Sequence, residues 1–312
     1  MSARNRTAVV HLVRHANGSA PFERFLRSYE ALPAGLEHDL VLAFKGFDGA
    51  AALAPYRERA AAHAPAVMEL PDDGTDITVY LAAAATLGHE RLCFLNSFSE
   101  IAAPGWLGLL DGALAAPHTG AAGATGSWSS QMSYELFQLG APSAYRGVVR
   151  SRREAREVMH ELAGVPLAGA ARSWLYTLLM AVRRSRAMGL FPVPHLRTNA
   201  FLVDRALLAS LRTGRAGSKL EAYALESGRR SITAQLRARG LTSVVVDRAG
   251  VARGPDDWAS ADVYAQADQA DLLVADNQTR LYAAATTRQR EVLSALSWGR
   301  RARPAPSAGG RP

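Results

Sequence analysis

The stretch Arg91-Leu-Cys-Phe-Leu-Asn-Ser-Phe-Ser-Glu100 decides the fold, because an apolar run turns abruptly into a polar cluster within it. Residues 91–95 have the composition of a buried parallel strand. The polar residues begin at Asn96, and a helical pattern starts after Trp106. Ligands of open α/β sheets bind beyond the carboxyl ends of the strands. The polar cluster is therefore either a ligand site or a solvated loop that caps the next helix.

Three similar apolar runs precede this stretch, and helical patterns separate them. The four predicted strands cover residues 7–13, 39–44, 66–70 and 91–95. Such alternation predicts right-handed βαβ units and a parallel sheet. All four runs end in polar or charged residues, so these ends should line one edge of one sheet.

The pattern beyond residue 119 adds further strands and more helix. The predicted elements are strands at residues 120–125, 200–203 and 241–247, and helices within 133–190, at 218–226, at 231–240 and at a final segment ending at Trp298. Ser218 and Glu221 have the spacing of a capping box. Together these features predict an α/β fold with a Rossmann-like, mostly parallel central sheet flanked by helices, a helical insertion and a helical C-terminal segment.

Composition and charge narrow the class of partner. The chain has 312 residues, of which 48% are apolar and 21% charged, as in globular proteins. Half of the net charge of +8 comes from four arginines after Gly299. Basic charge suits anionic substrates, a membrane surface or nucleic acid. Nucleic acid is disfavoured because aromatic residues do not interleave with the basic ones, whereas peripheral membrane contact stays open.

The single cysteine and the N-terminus bear on localisation. Cys93 lies within an apolar run and has no second cysteine to pair with. The N-terminus leads directly into a strand without an apolar signal segment. No uncharged apolar run reaches the length of about 18 residues that a membrane span needs. We therefore expect a cytoplasmic protein.

Several common catalytic signatures are missing from the sequence. It contains no Gly-x-Gly-x-x-Gly after the first strand, no phosphate-binding loop, no Gly-x-Ser-x-Gly elbow and no paired-cysteine zinc spacing. Dinucleotide redox, nucleotide triphosphatase and serine hydrolase functions are therefore disfavoured. The strand ends instead combine carboxylates with arginines, which suits a nucleotide diphosphate carrying an attached group.

Three segments carry a resemblance to a known family. Residues 72–76, Asp-Asp-Gly-Thr-Asp, precede a helix, residues 94–98 are Phe-Leu-Asn-Ser-Phe, and residues 197–201 are followed by Glu-Ser-Gly at 226–228. In order and pattern they resemble the donor segment, the Asp-x-Asp strand end and the acceptor and base regions of GT-A glycosyltransferases. The likeness is to bacterial polysaccharide enzymes of the family 2 and rhamnan-synthesis type, and it covers about residues 7–250.

The resemblance implies transfer of a sugar, of the hexosyl type, from a nucleotide-diphosphate donor to a hydroxyl of a small-molecule or glycan acceptor. It implies inversion, with Glu226 as the general base, although Glu226 could equally be a solvated helix residue. Residues 1–130 would hold the donor, residues 131–298 would form the insertion and the acceptor half of the same domain, and residues 299–312 would be a disordered basic tail.

The same resemblance assigns the remaining site residues. The expected nucleotide-sugar ligands are Arg14, Lys45, Asp73, Asp76, Asn96, Arg229 and Arg230, and the expected acceptor ligands are Trp128, His195, Arg197 and Asn199. Each also has a purely structural interpretation, as a surface arginine, a turn residue, a helix cap or packing.

The metal site of the family is altered in this sequence. Asp-x-Asp supplies carboxylates to Mg²⁺ or Mn²⁺, which prefer oxygen ligands. Here the two positions are Asn96 and Phe98, and the nearest carboxylate is Glu100. Either Glu100 binds the cation, or arginines neutralise the diphosphate instead, or the site is silent.

Two alternatives follow from this departure. The chain could be a catalytically degenerate GT-A module that binds a nucleotide-sugar or a protein partner without turnover. A nucleotidyltransferase on a similar sheet is disfavoured, because no glycine-rich loop with a lysine follows the first strand.

Overall fold

The computed structural model describes residues 5–133, 182, 185, 187–214 and 218–305. Most of the helical insertion predicted within residues 133–190 lies outside the described residues. Within the described residues, no helix combines the length and the apolarity that a membrane span requires.

The strands begin and end close to the predicted positions. They are β1 Thr7–Arg14, β2 Asp39–Lys45, β3 Ala66–Leu70, β4 Arg91–Leu95, β5 Glu100–Ile101, β6 Thr119–Gly123, β7 Gly126–Ser127, β8 His195–Leu196, β9 Ala200–Asp204, β10 Thr242–Val246, β11 Ala252–Arg253 and β12 Val274–Ala275. The two-residue strands were not predicted, because so short a segment carries no periodic pattern.

The helices connect these strands and close the C-terminal side. They are α1 Ala20–Ala31, α2 Ala50–Arg59, α3 Asp76–Thr86, α4 Trp106–Leu114, α5 Arg205–Ala209, α6 Lys219–Ser227, α7 Ile232–Ala238, α8 Asn277–Ala284 and α9 Thr287–Trp298. The predicted capping box of α6 is present, with Ser218 and Glu221 each bonding the backbone amide of the other.

The central sheet of the described residues has eight strands in the order β11-β10-β6-β9-β4-β1-β2-β3. Strands β1 to β4 pair in parallel, and β10 pairs in parallel with β6. Strand β9 runs antiparallel between β4 and β6, and β11 is an antiparallel edge strand. The predicted mostly parallel sheet is confirmed, and the ends of β1 to β4 lie along one edge of it.

Apolar residues fill both faces of this sheet. In β1, Val10 and Leu12 pack into one core, whereas Val9 and Val13 pack into the other. Alternate side chains of a strand point to opposite faces, so a continuous apolar run is buried on both sides. Burying each such side chain contributes roughly 1.5–3 kcal/mol before entropy is counted. Packing therefore fixes the sheet edge firmly, and the polar loops beyond it are held by a rigid support.

The C-terminal segment folds back over this edge. Strand β12 pairs antiparallel with β5, directly after the polar cluster that follows β4. Trp298 at the end of α9 is buried, and its indole donates to the carbonyl of Tyr264 at 2.7 Å. The C-terminal tail was predicted to be disordered. Its first residues are hydrogen-bonded to the rest of the protein, since the Arg303 guanidinium donates to Asp262 at 2.8 Å. Residues 306–312 lie outside the described residues.

Candidate active site

A pocket of about 400 Å³ lies at the edge of the sheet where the parallel strands end. It opens where the residue after β4 meets β8, the segment before β9, the end of α6 and the start of α8. Five of the predicted site residues line it: Asn96, His195, Arg197, Asn199 and Glu226. The fold thus gathers residues from distant parts of the chain into one concave site.

Glu226 lies in the last turn of α6 and contributes a partly desolvated carboxylate to the pocket. The Thr198 hydroxyl donates a hydrogen bond to Oε1 of Glu226 at 3.0 Å. Burial raises the pKa of Glu226, the charge of Asp76 adds to the rise, and the Thr198 hydrogen bond and Arg197 oppose it. A carboxylate with a raised pKa and one oxygen held in place can accept a proton from a bound hydroxyl.

Arg197 contributes a positive charge to the pocket wall, and the carboxylate of Asp276 neutralises that charge. Nη2 of Arg197 lies 2.7 Å from Oδ2 of Asp276, whose side chain is 2% exposed, while that of Arg197 is 13% exposed. The guanidinium also lies 3.9 Å from the centre of the Tyr264 ring. Asp276 caps α8, since its Oδ1 accepts from the Thr279 amide at 2.8 Å. The ion pair therefore fixes the C-terminal segment to the site.

Asn199 joins three of the loops that form the pocket. Its carbonyl accepts from the Asn96 amide at 3.2 Å and from the Ser99 hydroxyl at 2.6 Å. Its Oδ1 accepts from the Thr125 hydroxyl at 2.5 Å. Its Nδ2 is buried and has no hydrogen-bond partner among the described residues. Because an unpaired buried donor is costly, this amide is a ready donor for a polar ligand group.

His195 contributes a neutral imidazole to the pocket. Its Nδ1 lies 2.7 Å from the carbonyl of Val193, which accepts its proton. Burial lowers the pKa of His195 to about 4, so the ring is uncharged at neutral pH. With Nδ1 protonated, Nε2 is left as an acceptor. His195 is thus suited to accept a hydrogen bond from a sugar hydroxyl.

The altered Asp-x-Asp stretch does not fit a divalent cation as it is arranged. Oδ1 of Asn96 already accepts a hydrogen bond from the Phe98 amide at 2.9 Å and lies 3.1 Å from the Ser99 hydroxyl. The Glu100 carboxylate is paired with Arg280 at 3.1 Å. In the described part of the chain, no three His, Cys, Asp or Glu side chains are grouped to hold a metal ion. The stretch builds a turn and an ion pair.

The predicted donor residues of β1 to β3 lie together beyond the ends of those strands. Nη2 of Arg14 lies 3.0 Å from Oδ1 of Asp72 in a half-exposed pair. Lys45 is buried and its Nζ donates to the carbonyl of Thr75 at 3.2 Å. Burial lowers the pKa of Lys45, and burial raises the pKa of Asp76 while Lys45 opposes that rise.

Asp76 connects this donor side to the pocket. It starts α3, and its charge contributes to the raised pKa of Glu226. Tyr80 of α3 donates its hydroxyl to the carbonyl of Thr198 at 3.0 Å. Helix α3 therefore reaches from the donor loops to the residues that hold Glu226. Asp73 is exposed, beside the same loops.

Three further predicted site residues lie neither in the pocket lining nor beside the donor loops. Trp128 is buried with its indole nitrogen donating to the carbonyl of Pro255 at 2.8 Å, and it packs edge-on against Trp298. Arg229 and Arg230 follow the turn after α6 and line a different pocket.

Three residues of the site had no role in the sequence prediction. They are Thr198, which holds Glu226, Asp276, which pairs with Arg197, and Arg280, which pairs with Glu100. The Asp276–Thr279 spacing could have indicated a helix start. Nothing in the sequence indicates that Arg280 of α8 contacts the turn after β4, because pairing between distant segments leaves no local pattern.

No family model matches the chain, and no curated protein sequence matches it. The solved structures that match include GT-A-type glycosyltransferases. The mannosyltransferase PcManGT from Pyrobaculum calidifontis, solved with GDP-Man and Mn²⁺, is 14% identical over 82% of this chain and 61% of its own, with a TM-score of 0.39.

Two further structures are matched at similar or lower scores. The glucosyl-3-phosphoglycerate synthase of Mycobacterium tuberculosis, solved with Mn²⁺ and UDP, is 19% identical over 71% of this chain and 64% of its own, with a TM-score of 0.37. S. aureus TarS is 12% identical over 38% of this chain and 34% of its own, with a TM-score of 0.30. This chain thus spans less than two thirds of each of the three. With TM-scores below 0.5, these likenesses support no conclusion about activity or substrate.

Proposed function

We propose that the chain is a glycosyltransferase that moves a sugar from a nucleotide-diphosphate donor to a hydroxyl acceptor with inversion. One observation carries this proposal: the Glu226 carboxylate is desolvated and fixed by Thr198 in a polar pocket at the carboxyl edge of a parallel sheet. Such a group is suited to general-base catalysis near neutral pH.

The chemical step needs one proton transfer and one displacement. The acceptor oxygen attacks the anomeric carbon of the donor sugar while the free Glu226 oxygen takes the hydroxyl proton. The bond from that carbon to the donor phosphate breaks, and the nucleoside diphosphate leaves with the electron pair. Nε2 of His195 and Nδ2 of Asn199 would orient the sugar hydroxyls, one as acceptor and one as donor.

The donor is proposed to lie along the ends of β1 to β4, next to α3. Arg14 and Lys45 supply positive charge there, beside Asp72 and Asp76. A bound diphosphate would compete with Asp72 for Arg14, whose guanidinium fork suits phosphate oxygens. Because the Asn96–Glu100 turn does not fit a cation, we expect donor binding without added metal.

Thermal unfolding with a panel of UDP-, GDP- and TDP-sugars, each with and without Mn²⁺, tests the proposal. One class of donor should raise the unfolding temperature, since a ligand that binds only the folded state stabilises it. Release of the matching nucleoside diphosphate should follow when an acceptor is present. If no donor shifts unfolding, the transferase proposal fails.

The substitution Glu226→Gln tests the proposed base. It keeps the size and the Thr198 contact but cannot take a proton, so transfer should fall roughly 10²–10⁴-fold. Donor binding should be unchanged. Glu58→Gln, at an exposed position on α2, is the matched control. Transfer that survives Glu226→Gln would remove Glu226 as the base.

The alternative is a module that binds a nucleotide-sugar or a protein partner without turnover. The observation that favours it is the turn after β4, where the Glu100 carboxylate forms an ion pair with Arg280 and so is not free to bind a cation. A module that binds a nucleotide-sugar would give the thermal shift without release of nucleoside diphosphate, whereas one that binds only a protein partner would give neither. Glu226→Gln would change neither result.

A further inference from the structure

A second pocket, of about 420 Å³, lies beyond the turn that follows α6. Four arginines line it, Arg212, Arg229, Arg230 and Arg239, together with Gln235 and small apolar side chains. All of the lining residues belong to the described part of the chain, and none of them is a carboxylate. We call it the arginine pocket.

Hydrogen bonds hold the frame of the arginine pocket. The side-chain amide of Gln235 donates to the carbonyls of Arg212 at 3.0 Å and Arg230 at 2.8 Å, and its Oε1 accepts from the Arg212 amide at 2.7 Å. Gln235 on α7 thus ties together the two loops that carry these arginines. The Arg239 guanidinium is held by the carbonyl of Ser210 at 2.7 Å.

Two of the four guanidinium groups make no bond within the described residues. Arg212 and Arg230 contribute only backbone atoms to the hydrogen bonds around Gln235, and neither forms an ion pair with a described residue. Elsewhere arginines find carboxylates, as Arg197 does with Asp276. Like charges gathered without a counter-charge repel each other, and a bound anion would relieve that repulsion.

We propose that the arginine pocket is a binding site for a phosphate group carried by a small molecule. Guanidinium groups form paired hydrogen bonds with phosphate oxygens, and several donors converge here on one concavity. A concave pocket favours a single phosphorylated ligand over a flat membrane surface. The site is separate from the pocket that contains Glu226, since the two linings share no residue.

Isothermal titration with inorganic pyrophosphate at low salt tests this site. The wild-type chain should bind, and Arg212→Gln/Arg230→Gln should weaken binding at least about tenfold, because two charge-assisted contacts are lost. Arg237→Gln is the matched control, because Arg237 is exposed on α7 but does not line the pocket. The double variant removes repulsion rather than packing, so its unfolding temperature should not fall.

Two further measurements distinguish binding in the arginine pocket from binding at the donor loops and from binding to a lipid surface. Pyrophosphate binding that survives the double variant but is lost in Arg14→Ala would overturn the proposal, because the ligand would then occupy the donor loops. Binding to vesicles containing anionic lipid without binding to pyrophosphate would overturn it as well. Glu226→Gln should leave pyrophosphate binding unchanged, because Glu226 does not line the arginine pocket.

Discussion

Two pockets, that of Glu226 and the arginine pocket, lie on either side of one turn and differ in how their charges are neutralised. In the pocket of Glu226, the largely buried cation Arg197 is paired with the buried Asp276. In the arginine pocket, Arg212 and Arg230 lie among other arginines with no carboxylate in the lining. A neutralised, buried pair positions groups without attracting ions, whereas unmatched surface charge binds anions and is screened by salt. The first arrangement suits a reaction centre and the second suits recognition.

Breaking the ion pair between Arg197 and Asp276 should have the largest effect on the free energy of unfolding. Arg197→Met leaves the carboxylate of Asp276, which is 2% exposed, without its partner. Removing one member of a buried ion pair costs about 3–5 kcal/mol of unfolding free energy. Denaturant unfolding measures the loss, and the double variant Arg197→Met/Asp276→Asn should regain part of it, because Asn keeps the helix cap.

An exposed ion pair provides the control for that loss. Arg6 pairs with Glu90 at 2.5 Å, with both side chains more than 60% exposed. Surface pairs contribute about 0–1 kcal/mol, so Arg6→Met should lower the unfolding free energy by no more than that. Equal losses in Arg6→Met and Arg197→Met would contradict the view that the pocket depends on a buried pair.

The turn between the two pockets should be the next most sensitive feature. A Cβ on Gly228 would lie 2.6 Å from the carbonyl oxygen of Ala224 and 2.7 Å from that of Ala187, both backbone atoms. Gly228→Ala should cost about 1–3 kcal/mol, as overpacking does. It should also lower transfer activity, since the end of α6 that carries Glu226 must shift.

A glycine with free space around it is the matched comparison. Gly112 lies in α4, and nothing lies within 4 Å of a Cβ placed there. Gly112→Ala should therefore stabilise the chain by up to about 1 kcal/mol through helix propensity. If both alanine substitutions have the same sign in denaturant unfolding, the close approach at Gly228 is not what constrains the turn.

The sequence was sufficient to predict the strands and the helix that position the pocket residues. Strand β3 was predicted at its observed bounds and β1 to within one residue, because buried strands are continuous apolar runs bounded by polar residues. The capping box at Ser218 likewise predicted the start of the helix that carries Glu226 in its last turn. These are local patterns, and each is readable from its own segment.

The partners within the site could not be predicted. Thr198 and Glu226 are 28 residues apart, and Arg197 and Asp276 are 79 apart. Whether an arginine meets a carboxylate depends on how distant loops pack, and that leaves no spacing signal. The same limit explains why Arg229 and Arg230 were grouped with the donor residues, although they line the arginine pocket.

Removing the Thr198 hydroxyl tests whether its hydrogen bond sets the pKa of Glu226. Its hydrogen bond to Oε1 lowers the pKa of Glu226, against the rise caused by burial. In Thr198→Val that pKa should rise further, so the acidic limb of kcat/KM should move to higher pH. Thr86→Val, at a surface position on α3, should leave the profile in place. A uniform loss of activity at all pH values would indicate a role in positioning alone.

The smallest expected effect is a pH-dependent gain of stability in Glu226→Gln. The folded state raises the pKa of Glu226 above its value in the unfolded chain, so folding favours the protonated form. The stability that this proton brings is present below the unfolded pKa of about 4.3 and is lost as pH rises through the raised folded value. Above that window the wild type must bury a charge that glutamine does not carry. The unfolding temperature of Glu226→Gln should therefore exceed that of the wild type at pH 8 and match it at low pH. An offset that stays constant with pH would mean that Glu226 is not desolvated.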